Sequence, residues 1–169
     1  MNDLHDIARE QARNFGLDEV LVLAVCEQES GWNPWVSRYE PEFFNRYLDN
    51  STVHLVVQAH CRKVPYPVSF ETELRERAFS RGLMQVMGQV ARERGFADPL
   101  PQLHDPAANL MVGCRHLKKC LDGAGGDIRR ALLRWNGGGD PQYPDKVLAR
   151  MVHYANPDTS DPGVGGGDR

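Results

Sequence analysis

Glu29 is the residue whose position most suggests chemistry, because it is a carboxylate at the end of an apolar stretch. It follows Val22, Val25 and Cys26 by seven, four and three residues, so it shares their face if the segment is helical. Burial there would disfavour the charged carboxylate and raise its pKa. A carboxylic acid that stays protonated near neutral pH can act as a general acid. The spacing also fits a solvated glutamate at a helix end, so both interpretations are open.

A glycine-containing motif follows Ser80. The sequence Gly82-Leu83-Met84-Gln85 is predicted to open a helix. A glycine there allows backbone or ligand to approach closely, and Gln85 could point its amide at a polar ligand. A loop glycine followed by a surface glutamine is the plainer interpretation.

An aromatic residue and a carboxamide follow a third predicted helix. The flat face of Trp135 could stack on a sugar ring, and the amide of Asn136 could bind hydroxyl or N-acetyl groups. A core tryptophan followed by a C-capping asparagine fits equally well. Tyr143 is either a similar ligand contact or a packing residue.

The elements that must position these residues are predicted to be helical. Asp18 is a suitable N-cap for a helix from Glu19 to Glu29, whose apolar residues surround it almost completely, so this helix is expected in the middle of the fold. Other predicted segments are helices over 3–15, 70–78, 82–95, 106–123, 128–135 and 147–155, a short helix near 43–48, and a helix or strand near 53–57. The fold class is therefore mainly α, with little or no β-strand. We expect one globular domain over 1–155 and a disordered tail over 156–169.

Composition excludes several function classes. The chain has 169 residues, of which 41% are apolar and 25% charged, and a net charge of -3, so it lacks the positive field that holds nucleic acid. The longest apolar run has seven residues, and a membrane-spanning helix needs about 20. The N-terminal residues show no secretion signal. We therefore expect no nucleic-acid partner and no membrane insertion.

The four cysteines are expected to be reduced and to serve as small apolar side chains. A zinc site formed by Cys114, His116 and Cys120 is disfavoured, because the spacing fits no common ligand pattern. We expect no metal.

The separate signals gain weight from their order. Five motifs follow one another along the chain: Glu29-Ser30-x-x-Asn33-Pro34, Gly82-Leu83-Met84-Gln85, Asp105-Pro106-x-x-Asn109-Leu110-x-x-Gly113, Ala131-x3-Trp135-Asn136-x-Gly138 and Tyr143-x2-Lys146-Val147-Leu148. This order strongly resembles the catalytic domain of the soluble lytic transglycosylases, which are related to goose-type lysozymes. The resemblance covers about residues 5–155.

The resemblance implies a lysozyme-like, mostly α fold with a cleft between helices, and it implies roles for particular residues. Glu29 would be the catalytic acid and then the base. Six residues would contact the glycan: Ser80, Met84, Gln85, Trp135, Asn136 and Tyr143. The implied substrate is the glycan strand of peptidoglycan, cleaved between N-acetylmuramic acid and N-acetylglucosamine to give a 1,6-anhydro sugar. The chain is expected to act as a monomer without a cofactor.

The sequence departs from the family pattern at three places. Trp135 replaces the usual tyrosine, and Gly88 stands where proline is frequent. Segment 35–81 is much longer than the family's usual link and is interpreted as an insertion. Its glutamates are expected to be mostly solvated, although one of them could lie across the cleft: Glu40, Glu42, Glu71, Glu73 and Glu76.

Two alternative functions are left open. A hydrolytic lysozyme or chitinase on the same fold would need a second carboxylate to activate water. An inactive glycan-binding module would have no need of a buried acid. A wall-cleaving enzyme of this kind is expected to act on the bacterial cell wall in the periplasm after release by a phage holin, a virion or a secretion machine, and otherwise to form a cytoplasmic pool.

Overall fold

The computed structural model describes residues 3–155, and the predicted tail over 156–169 lies outside them. The described chain is mainly helical, which confirms the predicted fold class. Its elements in chain order are α1 Leu4–Asn14, α2 Glu19–Ser30, β1 Ser37–Tyr39, α3 Pro41–Phe43, a π-helical turn Phe44–Leu48, α4 Ser51–Cys61, α5 Phe70–Glu76, β2 Phe79–Arg81, β3 Val86–Met87, α6 Gly88–Glu93, a 3₁₀ turn Leu100–His104, α7 Pro106–Gly123, α8 Ile128–Trp135 and α9 Tyr143–Ala155.

Helix α2 lies at the centre of the main core, as predicted. The Asp18 carboxylate caps its N-terminus by accepting a hydrogen bond from the Val20 backbone N–H at 2.8 Å. Every side chain from Leu21 to Cys26 is buried. Helix α2 contacts α1 and α9, and α7 contacts α1 and α8. Gly31 ends α2 in the left-handed conformation, with φ of 56°. Glu29 therefore lies in the last turn of a well-fixed helix.

The Gly82–Gln85 motif forms a turn between β2 and β3, so the prediction of a helix over 82–95 is wrong in its first half. Gly82 and Gln85 have φ of 74° and 44°, which a right-handed helix cannot accommodate. The buried Asn109 side chain fixes the turn, because it accepts from the Met84 N–H at 2.8 Å and donates to the Arg81 carbonyl at 2.8 Å. A Cβ at position 82 would lie 2.3 Å from the Asn109 amide nitrogen, so glycine is required there. Helix α6 begins only at Gly88.

Strands β1, β2 and β3 form a small antiparallel sheet in that order. Arg38 of β1 is paired with Ser80 of β2, and Ser80 is paired with Met87 of β3. The sheet therefore holds the start of segment 35–81 against the turn that contains Gln85.

Segment 35–81 has an apolar cluster of its own, formed by Leu48, Val57, Leu74 and Ala78. The stretch near 53–57, predicted as helix or strand, is part of helix α4. Glu73 of α5 connects the segment to α6, since it accepts hydrogen bonds from Arg77 at 3.0 Å and Arg92 at 2.9 Å. The domain limits and the status of 35–81 as an insertion stay predictions.

Candidate active site

A cleft of about 440 Å³ runs between the end of α2, the small sheet and the end of α8. Its lining combines two half-buried carboxyl groups with aromatic, amide and guanidinium side chains. The lining residues are Glu29, Arg38, Glu40, Phe43, Ser80, Gln85, Val86, Met87, Val90, His116, Arg134, Trp135, Asn136 and Gly137. Concave sites of this size and mixed character are typical of ligand binding.

Two side chains from other helices hold the carboxylate of Glu29. The Trp135 indole N–H donates to Glu29 Oε1 at 2.8 Å, and the Tyr143 hydroxyl donates to the same oxygen at 2.5 Å. Both donors are electrically neutral. Glu29 Oε2 accepts no hydrogen bond from any residue in the range 3–155, which leaves this oxygen as the position for a transferable proton.

The surroundings of Glu29 raise its pKa. Burial is the largest influence and disfavours the charged form, whereas the hydrogen bonds from Tyr143 and Trp135 and the charge of Arg38 act in the opposite direction. Burial prevails, so the pKa of Glu29 lies above that of an ordinary glutamate. The same site thus favours the acid while offering donors that stabilise the carboxylate once the proton has left.

Trp135 is supported from behind by His116. The two rings lie 5.2 Å apart at 37°, and Arg94 Nε donates to His116 Nδ1 at 3.3 Å. Burial, with the nearby charges of Arg94 and Lys119, lowers the pKa of His116 to about 4, so its imidazole is neutral near pH 7. The sequence pattern indicates His116 only as a disfavoured zinc ligand. Its neutral ring instead helps to fix the indole that binds Glu29.

Gln85 and Ser80 lie in the cleft, but their polar groups are already engaged. Gln85 Nε2 donates to the Val36 carbonyl at 3.1 Å and to the Gly82 carbonyl at 2.9 Å. Gln85 Oε1 accepts from the Ser80 hydroxyl at 3.1 Å. These bonds hold the sheet and its turn in shape, so both residues position the cleft, and their contact with a glycan stays a prediction.

Met84 does not line the cleft. Its side chain is fully buried, and its sulfur packs against Gly113 of α7, where an added Cβ would come within 2.3 Å. The predicted contact of Met84 with substrate is therefore replaced by a role in the core. The motif places glutamine on the cleft and methionine beneath it.

Asn136 lies at the C-terminal end of α8 and lines the cleft. Its amide donates to the Asp140 carbonyl at 3.2 Å. The two alternatives from the sequence thus coexist, since Asn136 is a C-cap residue and is also available to the cleft.

One of the five glutamates of segment 35–81 lies in the cleft. Glu40 lines it and accepts a hydrogen bond from Arg38 Nε at 2.5 Å. Glu73 is buried among arginines, and Glu76 pairs with Arg81 at 2.5 Å. Glu42 and Glu71 are not among the lining residues. Two basic residues of the lining, Arg38 and Arg134, were not predicted, because no motif or periodicity in the sequence marks them.

The described chain offers neither a metal centre nor a membrane span. Within residues 3–155, no group of three or more His, Cys, Asp or Glu side chains could hold a metal ion. His116 Nε2 and Cys120 Sγ lie 3.8 Å apart, and all four cysteines are free thiols. None of the described helices combines the length and the apolar character that a membrane span requires.

Comparison with known proteins gives one family match. The sequence model described as the transglycosylase SLT domain matches residues 6–146, which include Glu29, the Gly82–Gln85 turn, Trp135 and Tyr143. No solved structure matches the chain.

Proposed function

The chain belongs to the transglycosylase SLT domain family, whose members act on peptidoglycan, and from this premise we propose that it cleaves the β-1,4 bond between N-acetylmuramic acid and N-acetylglucosamine without water. The observation that carries the proposal is the half-buried Glu29, held by two neutral donors in a cleft. A glycan-binding module would gain nothing from a carboxyl group with a raised pKa.

In the first step Glu29 donates its proton to the glycosidic oxygen. The bond between that oxygen and C1 of the muramyl sugar breaks, its electron pair stays with the leaving N-acetylglucosamine, and C1 takes on oxocarbenium character. The raised pKa of Glu29 keeps the proton available near neutral pH. The hydrogen bonds from Trp135 and Tyr143 to Oε1 then stabilise the carboxylate that remains.

In the second step the Glu29 carboxylate removes the proton from the C6 hydroxyl of the same muramyl sugar. The freed oxygen forms a bond to C1, which closes the 1,6-anhydro ring and returns Glu29 to its acid form. No second carboxylate is needed, because the nucleophile belongs to the reacting sugar and is already close to C1. The donors on Oε1 also restrain the carboxylate, so that Oε2 can serve both proton transfers.

Glu40 supports a second candidate function, hydrolysis, because it is a second carboxylate in the same cleft. In a lysozyme or chitinase it would activate water. Its ion pair with Arg38 counts against this role, since one carboxylate oxygen of Glu40 is already occupied by the guanidinium instead of being free to accept a proton from water.

Mass spectrometry of digested peptidoglycan tests the proposal. We expect anhydro-muramyl ends, whereas hydrolysis would give reducing ends that are heavier by one water. Glu40→Gln is expected to keep the same product and a rate within about threefold of wild type, and Glu42→Gln is its matched control outside the cleft. Reducing ends together with an inactive Glu40→Gln protein would establish the hydrolase instead.

The place of action is the bacterial cell wall. Delivery by a phage holin, a virion or a secretion machine stays a prediction, and localisation of the tagged chain during lysis or secretion would test it.

A further inference from the structure

An aromatic pair on the cleft wall has no role in the chemistry of Glu29. The rings of Phe43 and Tyr47 lie 5.0 Å apart at 48°. Phe43 lines the cleft, whereas Tyr47 is 51% exposed. Together they extend an apolar surface from the cleft toward solvent.

The local fold holds this pair in place before any ligand arrives. The chain from Phe44 to Leu48 is a π-helical turn, closed by a hydrogen bond from the Asp49 N–H to the Phe44 carbonyl at 3.0 Å. Such turns are rare in proteins overall, but those that occur are often located at functional sites. Leu48 is 1% exposed, and Phe43 and Phe44 both pack on the same apolar cluster, so the turn is fixed from within while the Tyr47 ring stays exposed.

The surroundings of the pair favour a sugar over a purely apolar ligand. The Arg46 guanidinium lies 5.4 Å from the centre of the Tyr47 ring, and Arg38 and Glu40 line the cleft with Phe43. A pyranose offers an apolar C–H face to an aromatic ring and hydroxyl or acetamido groups to charged side chains. Aromatic surface beside a few polar groups is the usual composition of such sites.

We infer that Phe43 and Tyr47 form a glycan subsite, which binds a sugar ring of the peptidoglycan strand beyond the ring that reacts at Glu29. The inference rests on the proposed function and adds to it a binding position within segment 35–81. Because the Glu29 carboxylate takes its hydrogen bonds from Trp135 and Tyr143 and not from this pair, the subsite contributes to the binding of longer strands and leaves the chemical step unchanged.

Tyr47→Ala is the most informative variant, because Tyr47 is exposed and its loss leaves the cluster beneath it intact. On soluble peptidoglycan strands several disaccharides long, we expect KM to rise about five- to tenfold while kcat stays within about twofold. Tyr47→Phe keeps the ring and should restore KM to within about twofold of wild type. Leu55→Ala, at a residue 67% exposed and outside the cleft lining, is the control and should match wild type.

A binding measurement separates this inference from the proposed function. Glu29→Gln protein, with and without Tyr47→Ala, is titrated with peptide-free strands of alternating N-acetylglucosamine and N-acetylmuramic acid, and we expect about five- to tenfold weaker binding for the double variant. If wild type leaves peptidoglycan intact but this difference appears, the proposed reaction fails and the subsite stands. Equal affinity of the two proteins, or an unchanged KM for Tyr47→Ala in an active enzyme, would overturn the subsite.

Discussion

Glu29 and Glu73 are both withdrawn from water, yet their surroundings give them opposite properties. Glu29 accepts hydrogen bonds from the neutral Trp135 and Tyr143, and burial raises its pKa. Glu73 is 1% exposed, but hydrogen bonds and charges from Arg92 and Arg77 outweigh burial and lower its pKa. Burial alone therefore does not make a catalytic acid. The charge of the hydrogen-bond donors decides whether the proton is retained.

The two sites also differ in what they connect. Glu73 bonds to Arg92 through both oxygens, at 2.9 and 3.0 Å, and it joins α5 to α6. His60 Nε2 lies 3.6 Å from it. Both carboxylate oxygens of Glu73 are occupied by cationic side chains, so Glu73 has a structural role. Glu29 keeps one oxygen without a protein donor among residues 3–155 and faces a cleft that can hold substrate.

The largest expected effect is the loss of activity in Glu29→Gln. The amide preserves the shape of the side chain but has no acidic proton to donate, so peptidoglycan cleavage should fall by at least about 100-fold. The melting temperature should change little, as a calorimetric scan would show. Activity within about tenfold of wild type would remove Glu29 from the mechanism.

The matched change Glu73→Gln should have the opposite effects, lowering stability while leaving activity nearly unchanged. It leaves two buried guanidinium groups without their counter-charge, so the free energy of unfolding should fall by about 3–5 kcal/mol, measured by urea denaturation. Protein that remains folded should cleave peptidoglycan at close to the wild-type rate. A stable Glu73→Gln protein without activity would mean that Glu73 belongs to the chemistry.

The pH dependence of stability sharpens the contrast. A carboxyl group with a lowered folded-state pKa contributes stability above its unfolded pKa, and this contribution is lost as the pH falls through the folded value. We therefore expect wild type to lose stability in acid through Glu73, and Glu73→Gln to lack this part of the loss. Parallel acid dependence in the two proteins, followed by circular dichroism, would show that Glu73 is not the group responsible.

Tyr143→Phe should have a smaller effect that is specific to Glu29. Removing the hydroxyl takes away a hydrogen bond that favours the carboxylate, so the pKa of Glu29 should rise further. The alkaline limb of the kcat/KM profile should move to higher pH, and the maximal rate should fall about tenfold because the carboxylate is less stabilised. A lower rate with an unmoved alkaline limb would assign Tyr143 to structure alone.

The sequence predicted the parts of this site that depend on local patterns. Asp18, the apolar run and Gly31 define α2 and place Glu29 at its end, and the order of motifs indicated the family. The turn at Gly82 was mistaken for a helix because Leu83, Val86 and Met87 imitate helical spacing. What forces the turn is Asn109, a contact across 25 residues that no local pattern contains.

The details that make Glu29 an acid depend on contacts over still longer distances. The Trp135 indole N–H donates to Glu29 across a sequence separation of 106 residues. The sequence indicated that the Trp135 ring could stack on a sugar, but it gave no sign of this hydrogen bond. Arg38 and Glu40 lie in segment 35–81, where the family pattern offered no guide. They lie at the cleft because β1 pairs with β2. This pairing is hard to predict from the sequence, since β1 has only three residues.

Direct titration of the two carboxyl groups tests the central claim most closely. Carbon-13 NMR of protein labelled at the glutamate carboxyl carbons, with Glu29→Gln and Glu73→Gln used to assign the two signals, follows each group as the pH changes. We predict that Glu29 titrates above the range of the solvent-exposed glutamates in the same spectrum and that Glu73 titrates below it. A Glu29 signal that titrates with or below the exposed glutamates would contradict the account, because the group would then hold no proton to give the glycosidic oxygen near neutral pH.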